Sequence, residues 1–246
     1  MNNLGAIVLA AGKGSRMNAK DINKVAMPLA GKPMIAHSIA LLREVNIDKI
    51  VVVVGFAKES VIRVLGDSVI YAEQKELLGT ASAVSDGLTK LPQDIKTVMV
   101  MYGDDSAFYT QDILNEFISK HFFQNADLSF LTLERENNFG FGRIIRDNSG
   151  TLQEIVEEKN ATEEQKKIKE INAGLYIFNV EFLRKHLPMV QKNELTGEFY
   201  LTDLIGIGLQ KKKKVLAVLA GKLEWWGINT VKDLEDAHRA LLQVKR

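Results

Sequence analysis

The 246-residue sequence has no cysteine, which excludes disulfides, thiolate zinc sites and cysteine nucleophiles. No apolar run approaches the roughly 20 residues that span a bilayer, and the N-terminus lacks the basic region of a signal peptide. Net charge is also small, because 32 basic residues nearly balance 31 acidic ones and leave +1. A polynucleotide-binding surface would be strongly basic. These absences predict a cytoplasmic protein with no nucleic-acid or membrane partner.

Proline is scarce, and no proline-rich linker divides the chain. In the first half, short apolar runs alternate with amphipathic stretches, a pattern typical of βαβ units and a parallel sheet. The runs are continuously apolar, which predicts strands covered on both faces. The predicted strands are 6–10, 49–54, 68–72, 97–101 and 127–133. The predicted helices are 33–45, with Pro33 in its first turn, 59–65, 79–91 and 111–123.

The second half predicts a mixture of antiparallel strands and helices. The turn Asp147-Asn-Ser-Gly150 separates 143–146 from 152–157 and predicts a hairpin. Further strands are predicted at 171–178 and 215–220, a charged helix or loop at 163–170, and helices at 200–210 and 231–244. Together these elements predict one α/β domain with a mixed, mostly parallel sheet flanked by helices.

A basic loop with two glycines follows the first predicted strand. Gly12 and Gly14 allow the backbone to approach a phosphate closely, and Lys13 and Arg16 add positive charge. Lys24 follows closely enough to reach the same phosphates. For this segment alone, an ordinary tight turn with exposed basic residues is the alternative. The loop is neither a dinucleotide fingerprint, which would need a third glycine, nor a Walker A loop.

Two further segments carry groups suited to a nucleotide and a metal ion. Gln74 can donate and accept hydrogen bonds, which suits a base edge, and Gly79-Thr80 opens a helix of small residues. Tyr102-Gly103-Asp104 ends a buried strand, and ligands of open α/β sheets gather at such carboxyl ends. A carboxylate there is a natural Mg²⁺ ligand. A tightly packed helix and a helix-capping aspartate are the structural alternatives.

Taken in order along the chain, these segments resemble those of the sugar-1-phosphate nucleotidyltransferases. Residues 9–17 and Lys24 match the family pattern L-x-x-G-x-G-T/S-R-M followed by a lysine. The segments 140–144, 157, 170–172 and 227–229 then follow in family order. The resemblance runs from residue 4 to about residue 229. It is strongest with the uridylyltransferase domain of the bacterial bifunctional enzymes that make UDP-N-acetylglucosamine.

The resemblance implies a Rossmann-like, GT-A-like nucleotidyltransferase fold and a role for each matching residue. The nucleotide would be bound by Leu9, Ala10, Ala11, Gly12, Gly14, Gln74, Gly79, Thr80 and Gly103. The catalytic residues would be Arg16, Lys24 and Asp104. The Mg²⁺ ligands would be Asp104 and Asn229. The acceptor sugar would contact Tyr102, Gly140, Glu157 and Asn172.

The resemblance also implies an organisation for the whole chain. Residues 1–110 would bind the nucleotide, residues 111–230 would bind the sugar, and residues 231–246 would form a C-terminal helix. The bifunctional enzymes carry a left-handed β-helix as well. No hexapeptide repeat occurs in this sequence, so that domain and its acetyltransferase activity are not expected.

The implied reaction transfers UMP from UTP to N-acetylglucosamine 1-phosphate and releases pyrophosphate. The attacking phosphate is already an anion and needs no general base, which agrees with four histidines outside the motifs: His37, His121, His186 and His238. Alternative substrates are glucose 1-phosphate, N-acetylgalactosamine 1-phosphate and dTTP. A non-catalytic sugar-nucleotide sensor on the same fold is a further alternative. A nicotinamide-dependent oxidoreductase is disfavoured by the missing third glycine.

Four departures from the family pattern are visible. Asn23 precedes the lysine where the family usually has proline, which is expected to loosen the loop but leave Lys24 in place. The residues after the metal aspartate are Asp105-Ser106-Ala107 instead of the usual Val-Pro-Leu. Ala173 stands where threonine is common, and Trp225-Trp226 precedes the Gly-Ile-Asn turn. The last two lie on the expected sugar side, so the identity of the acceptor stays open.

Overall fold

The computed structural model describes residues 3–17, 21–104, 108–136, 138, 140–220, 223 and 227–244. The sequence departures at 105–107 and 225–226 lie outside the described residues. Eleven strands are assigned in this part of the chain: β1 (Leu4–Ala10), β2 (Pro28–Leu29), β3 (Lys32–Pro33), β4 (Ile50–Val54), β5 (Ile70–Glu73), β6 (Thr97–Tyr102), β7 (Leu128–Glu134), β8 (Arg143–Arg146), β9 (Leu152–Val156), β10 (Glu170–Asn179) and β11 (Val215–Leu219).

The α-helices in the described residues are α1 (Met34–Glu44), α2 (Lys58–Leu65), α3 (Thr80–Leu88), α4 (Gln111–Phe123), α5 (Glu163–Lys166), α6 (Val180–His186), α7 (Asp203–Gln210) and α8 (Val231–Val244). Short 3₁₀ turns occur at Ser15–Met17, Lys24–Ala26, Glu158–Asn160 and Leu187–Met189. None of the helices placed in the described ranges is both long enough and apolar enough to cross a membrane.

The large sheet has the strand order β11-β7-β10-β6-β1-β4-β5, and the β8–β9 hairpin pairs with β10. Strands β6, β1, β4 and β5 run parallel to one another, and β11 is parallel to β7. Strand β10 runs antiparallel between β6 and β7. The prediction of a mixed, mostly parallel sheet flanked by helices is therefore confirmed.

The continuous apolar runs of β1 and β4 follow from helices on both faces of the sheet. Every residue of both strands is buried. Because successive side chains point to opposite faces, Ile7 and Val53 join the hydrophobic cluster that includes Val84 of α3. Val8 joins the opposite cluster, which includes Ile35 of α1. A strand with two covered faces therefore favours apolar residues at successive positions.

Several element boundaries differ from the predicted ones. Pro33 is extended (φ −55°, ψ 141°) and precedes α1, so the helix begins at Met34. Helix α3 ends at Leu88 instead of residue 91, since the residue before Pro92 is disfavoured in a helix. Helix α6 was not predicted, although its N-cap Asn179 accepts hydrogen bonds from two backbone amides of its first turn.

The topology places the loops after β1, β4, β5 and β6 at one edge of the sheet, because the four strands are parallel. Carboxyl ends of parallel strands are where open α/β sheets bind ligands. The glycine loop follows β1, Gln74 follows β5, and Gly103-Asp104 follows β6. The fold therefore brings these three sequence motifs to one side of the molecule.

Candidate active site

A cleft of about 550 Å³ opens at this edge of the sheet. Its volume lies in the range of small-molecule sites. The cleft brings together thirteen of the residues predicted from sequence: Leu9, Ala10, Ala11, Gly12, Gly14, Arg16, Lys24, Gln74, Gly79, Thr80, Tyr102, Asp104 and Asn229. Six other residues also line it: Lys13, Asn23, Val25, Leu77, Ala83 and Glu198.

Glycine is required by the backbone at one of the two positions of the first loop and not at the other. Gly14 has a positive φ of 54°, and a Cβ there would lie 3.0 Å from Cβ of Lys24. Glycine therefore permits both the turn and the close approach of the lysine. A Cβ at Gly12 would meet no atom within 4 Å. Packing therefore does not require glycine at position 12, where the missing side chain leaves open space at the cleft wall.

Two cations of the cleft contact the two predicted metal ligands. Lys24 forms an ion pair with Asp104, and both side chains are 14% exposed. Lys24 Nζ also donates to the carbonyl oxygen of Ile228 at 2.7 Å. Arg16 Nη2 donates to Oδ1 of Asn229 at 2.9 Å. The C-terminal turn is thereby bound to the first loop, across a separation of more than 200 residues.

Asp233, which sequence reasoning missed, holds the turn that carries Asn229. Its Oδ2 accepts hydrogen bonds from the amides of Asn229 at 3.0 Å and Thr230 at 2.8 Å. Its own amide donates to Oγ1 of Thr230 at 3.2 Å. This is a reciprocal cap of α8. The pattern Thr-x-x-Asp before an amphipathic helix was the available sequence signal.

The donor set at Asp104 and Asn229 fits a magnesium ion. A carboxylate and an amide oxygen are hard donors, and Mg²⁺ sites commonly use one or two carboxylates and complete the shell with water and substrate phosphates. Within the described ranges, no group of three or more His, Cys, Asp or Glu residues forms a cage for a metal. A site that shares its ion with phosphates matches this arrangement better than a closed structural one.

The opposite wall of the cleft is built around Gly79. Gly79 has φ +102°, and a Cβ there would lie 2.6 Å from the carbonyl oxygen of Phe199. Buried Gln74 donates from Nε2 to the carbonyl of Gly79 at 3.0 Å, which orients its amide. Thr80 Oγ1 accepts a hydrogen bond from the amide of Leu201 at 2.9 Å. The wall therefore depends on glycine at position 79 and on the segment around Phe199.

Asn23 ties the loop down, so the expectation that it loosens the loop is wrong. Its side chain is buried, and its Nδ2 lies within hydrogen-bonding distance of the carbonyls of Ala10, Gly12 and Phe56. At position 23, the family pattern indicates only that the rigid proline is missing. It could not show that an amide would replace that rigidity with hydrogen bonds.

Gly103 lies behind the cleft wall. Its amide donates to the carbonyl of Leu9 at 3.0 Å, and its own carbonyl accepts from Ser38 Oγ at 3.3 Å. A Cβ at this position would lie 3.2 Å from Cγ1 of Val25. The position fixes the end of β6 beside β1, while a direct contact of Gly103 with nucleotide remains a prediction.

Three predicted sugar contacts lie outside the cleft lining: Gly140, Glu157 and Asn172. Glu157 Oε1 accepts a hydrogen bond from Thr202 Oγ1 at 2.8 Å. Asn172 donates from its amide to the carbonyl of Gly142 at 3.0 Å. Its side chain donates to Tyr176 Oη at 2.6 Å and accepts from the amide of Gly174 at 3.1 Å.

A further carboxyl group, Asp203, lies near Glu157 and was not among the predicted site residues. Burial, together with the charge of Glu157, raises the pKa of Asp203. Asp203 begins α7, directly after the Thr202 that bonds Glu157. The sugar-binding roles remain predictions.

Two ion pairs stabilise the hairpin behind these residues. Arg143 is 1% exposed and pairs with Glu158 at 2.6 Å, and its Nε has no hydrogen-bond partner among the residues that the structure describes. Arg146 makes two hydrogen bonds of 2.7 Å to the carboxylate of Glu170, which also accepts from Thr132. Burial raises the pKa of Glu170, but these hydrogen bonds outweigh it and the net pKa is lowered.

The four histidines have structural partners within the described residues. His37, His121 and His186 bond a carbonyl or a hydroxyl, and His238 Nδ1 accepts from the amide of Ala30. Burial lowers the pKa of His121 to about 4, against a smaller opposing effect of Asp127. None of the four lines the cleft.

Comparison with known proteins agrees with the motif order. The family model described as nucleotidyl transferase matches residues 5–244. The bifunctional protein GlmU of Caldanaerobacter subterraneus subsp. tengcongensis is 37% identical over 241 residues, which cover 98% of this chain and 52% of that protein. The GlmU protein of Caldicellulosiruptor saccharolyticus is 42% identical over 238 residues, 96% of this chain and 51% of that protein. The chain thus spans about half the length of these curated relatives.

A solved structure shares the fold. The crystal structure of a Bacillus anthracis protein described as a glucose-1-phosphate thymidylyltransferase, in complex with sucrose, superposes with a TM-score of 0.82. The match covers 97% of this chain and 95% of the other, at 21% sequence identity. At that identity the likeness establishes the architecture and leaves the substrate to other observations.

Proposed function

The chain belongs to the nucleotidyl transferase family, and from that premise we propose that it transfers UMP from UTP to a sugar 1-phosphate and releases pyrophosphate. The proposed acceptor is N-acetylglucosamine 1-phosphate, because Glu157 and Asn172 match the sugar-contacting positions of the uridylyltransferases that the sequence resembles. Carboxylate and amide groups can serve both the donor and the acceptor of an N-acetyl group.

One observation carries the proposal: a single cleft holds two cations, a carboxylate and an amide oxygen that come from both ends of the chain. Lys24 contacts Asp104, and Arg16 contacts Asn229. A triphosphate brings several negative charges and a need for a divalent cation. The cleft offers basic groups for the first and oxygen donors for the second.

In the proposed reaction, a phosphate oxygen of the sugar 1-phosphate attacks the α-phosphorus of UTP in line. A new P–O bond forms, the bond between the α-phosphorus and the bridging oxygen breaks, and pyrophosphate leaves with the electron pair. No proton transfer is needed, since the nucleophile is already an anion. Catalysis then depends on positioning and charge stabilisation. Arg16 and Lys24 would stabilise the negative charge on the phosphates.

Magnesium would be held by Asp104 and Asn229 and, when bound, would offset charge on the phosphate oxygens. Arg16 and Lys24 contact these same two residues in the structure. We therefore propose that both cations shift to the phosphates when the nucleotide enters. The turn at 227–230, anchored by Asp233, would keep Asn229 in place during that shift.

The orientation of Gln74 supports a uracil or thymine base over cytosine. Its Nε2 donates to the carbonyl of Gly79, and its Oε1 would then serve as the acceptor toward a base in the cleft. Uracil and thymine present an N3–H donor to such an oxygen, whereas cytosine has no hydrogen at N3. Among the pyrimidine nucleotides, this argument leaves UTP and dTTP to compare directly.

Pyrophosphate release with Mg²⁺, measured across four nucleoside triphosphates and several sugar 1-phosphates, tests the proposal. We expect the highest kcat/KM for UTP with N-acetylglucosamine 1-phosphate, and little activity with CTP. An Asp104→Asn variant, similar in shape but uncharged, serves as the active-site control. Preference for another pair would revise the substrates. Absence of activity with every pair would contradict enzymatic transfer and favour the sensor alternative.

A further inference from the structure

We infer that Asn23 is a positioning residue that sets the glycine loop and Lys24 in the geometry needed for the triphosphate. The inference rests on the proposed function, because it assigns the loop and Lys24 to phosphate binding. Asn23 lines the cleft beside both elements. It stands where the resembling family usually has proline, so the expected sequence pattern gives it no role.

The amide of Asn23 connects three separate pieces of backbone. The side chain is 1% exposed. Its Nδ2 lies 2.9 Å from the carbonyl oxygen of Ala10, 2.8 Å from that of Phe56 and 3.3 Å from that of Gly12. Two hydrogens thus serve three carbonyls, with one hydrogen shared. The end of β1, the glycine loop and the loop after β4 are held to one point.

The amide oxygen of the same side chain caps the short helical turn that carries Lys24. Asn23 Oδ1 accepts a hydrogen bond from the amide of Val25 at 3.1 Å and caps the short helix Lys24–Ala26. The amide of Asn23 itself donates to Oγ of Ser60 at 2.9 Å. One residue therefore fixes the backbone of Lys24 relative to the backbone of Gly12.

Proline, aspartate and serine at this position could not make the same set of contacts. Proline has no side-chain donor and no amide hydrogen for Ser60. Aspartate could accept from Val25, but it would place a negative charge against three carbonyl oxygens. Serine could cap the turn, but its shorter side chain has a single donor and would leave most of the carbonyls unbonded. Serine and alanine variants can therefore separate the cap from the loop contacts.

The test compares Asn23→Ala and Asn23→Ser with the wild-type protein at a temperature well below the Tm of each. Asn179→Ala is the matched control, because it removes the side-chain cap of α6. Asn179 pairs with Thr97 at the far end of β6 and lies away from the cleft. Steady-state rates give kcat and both KM values, and calorimetry gives the affinity for UTP.

We expect both Asn23 variants to lose kcat/KM for UTP on the order of tenfold to a hundredfold, since small misplacements of binding groups have effects of that size. Their KM for UTP should rise while their KM for the sugar 1-phosphate stays within about twofold of wild type. The Asn179 control should lower Tm without changing either KM. Wild-type UTP parameters in both Asn23 variants would overturn the inference and leave a structural role only.

A failure of the proposed function can be distinguished from a failure of the role inferred for Asn23. If the wild-type protein shows no transfer with any substrate pair, the proposed function fails, and UTP affinity by calorimetry still decides the role of Asn23. In that case, unchanged affinity in the Asn23→Ser variant overturns the positioning role, and weakened affinity supports it. If Asn23→Ala does not fold, the serine variant alone decides, because it keeps the helix cap.

Discussion

Replacing Lys24 by methionine should change catalysis and metal binding in opposite directions. Methionine keeps a long side chain beside Gly14 and removes the ammonium group. One preorganised charge contact in an active site is worth roughly 3–4 kcal/mol, so kcat/KM should fall on the order of a hundredfold to a thousandfold. The same substitution frees Asp104 from its ion pair.

The gain in metal affinity follows from that ion pair. Both of its side chains are 14% exposed, so the pair should be worth at least the roughly 1 kcal/mol of a good exposed pair. Releasing Asp104 should then tighten Mn²⁺ binding in the absence of nucleotide by about fivefold. Mn²⁺ serves here as a spectroscopic probe for the Mg²⁺ site.

Pyrophosphate release measures the first effect, and electron paramagnetic resonance of free Mn²⁺ measures the second. Lys120→Met is the matched control, because Lys120 pairs with Glu116 at 2.7 Å on the surface of α4. Neither quantity should change in that control. A kcat/KM close to wild type in Lys24→Met would refute the catalytic role. Weaker Mn²⁺ binding in that variant would refute the pairing of lysine and metal ligand.

Three further substitutions test the structural reasoning. Gly79→Ala should lower Tm more than Gly66→Ala and should weaken UTP binding, because both glycines have positive φ but only the Cβ at 79 would meet backbone atoms within 3 Å. Glu158→Leu should cost roughly 3–5 kcal/mol in chemical denaturation by leaving Arg143 buried and unpaired, and the double variant Arg143→Met/Glu158→Leu should cost less. Burial lowers the pKa of His121 from 6.5 to about 4 in the folded protein, so its contribution to stability is present above pH 6.5 and is lost as the pH falls toward 4. The free energy of unfolding should therefore decline less over that pH range in His121→Asn than in wild type.

Local signals in the sequence were enough for the strands of the large sheet and for the strongly patterned helices, but not for the short pair β2 and β3. Helices α4 and α8 occur at the predicted residues. The order of βαβ units also placed the loops after β1, β5 and β6 at one edge of the sheet, because parallel strands share their carboxyl ends. Most of the candidate nucleotide site could therefore be predicted from motifs alone.

Contacts that depend on tertiary structure could not be predicted in the same way. The hydrogen bond between Arg16 and Asn229 joins residues 213 positions apart, and a local sequence pattern cannot predict such a contact. The side chain of Asn23 bonds backbone carbonyl groups. Every residue has such a group, so the sequence does not show which carbonyls will be contacted. Glu198 lines the cleft because its neighbour Phe199 packs against Gly79, a contact between distant parts of the sequence.

The cleft draws residues from both parts of the predicted division of the chain, and the division itself stays a prediction. Most of the cleft lining comes from residues before 110, and Glu198 and Asn229 come from the part predicted to bind the sugar. Glu157 and Asn172 lie apart from the cleft lining and bond to neighbouring protein groups. Their contacts with the sugar stay predictions.

Product analysis by ³¹P nuclear magnetic resonance tests the central claim most directly. Wild-type protein is incubated with Mg²⁺, UTP and N-acetylglucosamine 1-phosphate, and the phosphorus resonances are followed with time. We predict that UDP-N-acetylglucosamine and pyrophosphate appear in equal amounts as both substrates disappear. Pyrophosphate without a sugar nucleotide, UDP with inorganic phosphate, or an unchanged spectrum would contradict nucleotidyl transfer to this acceptor.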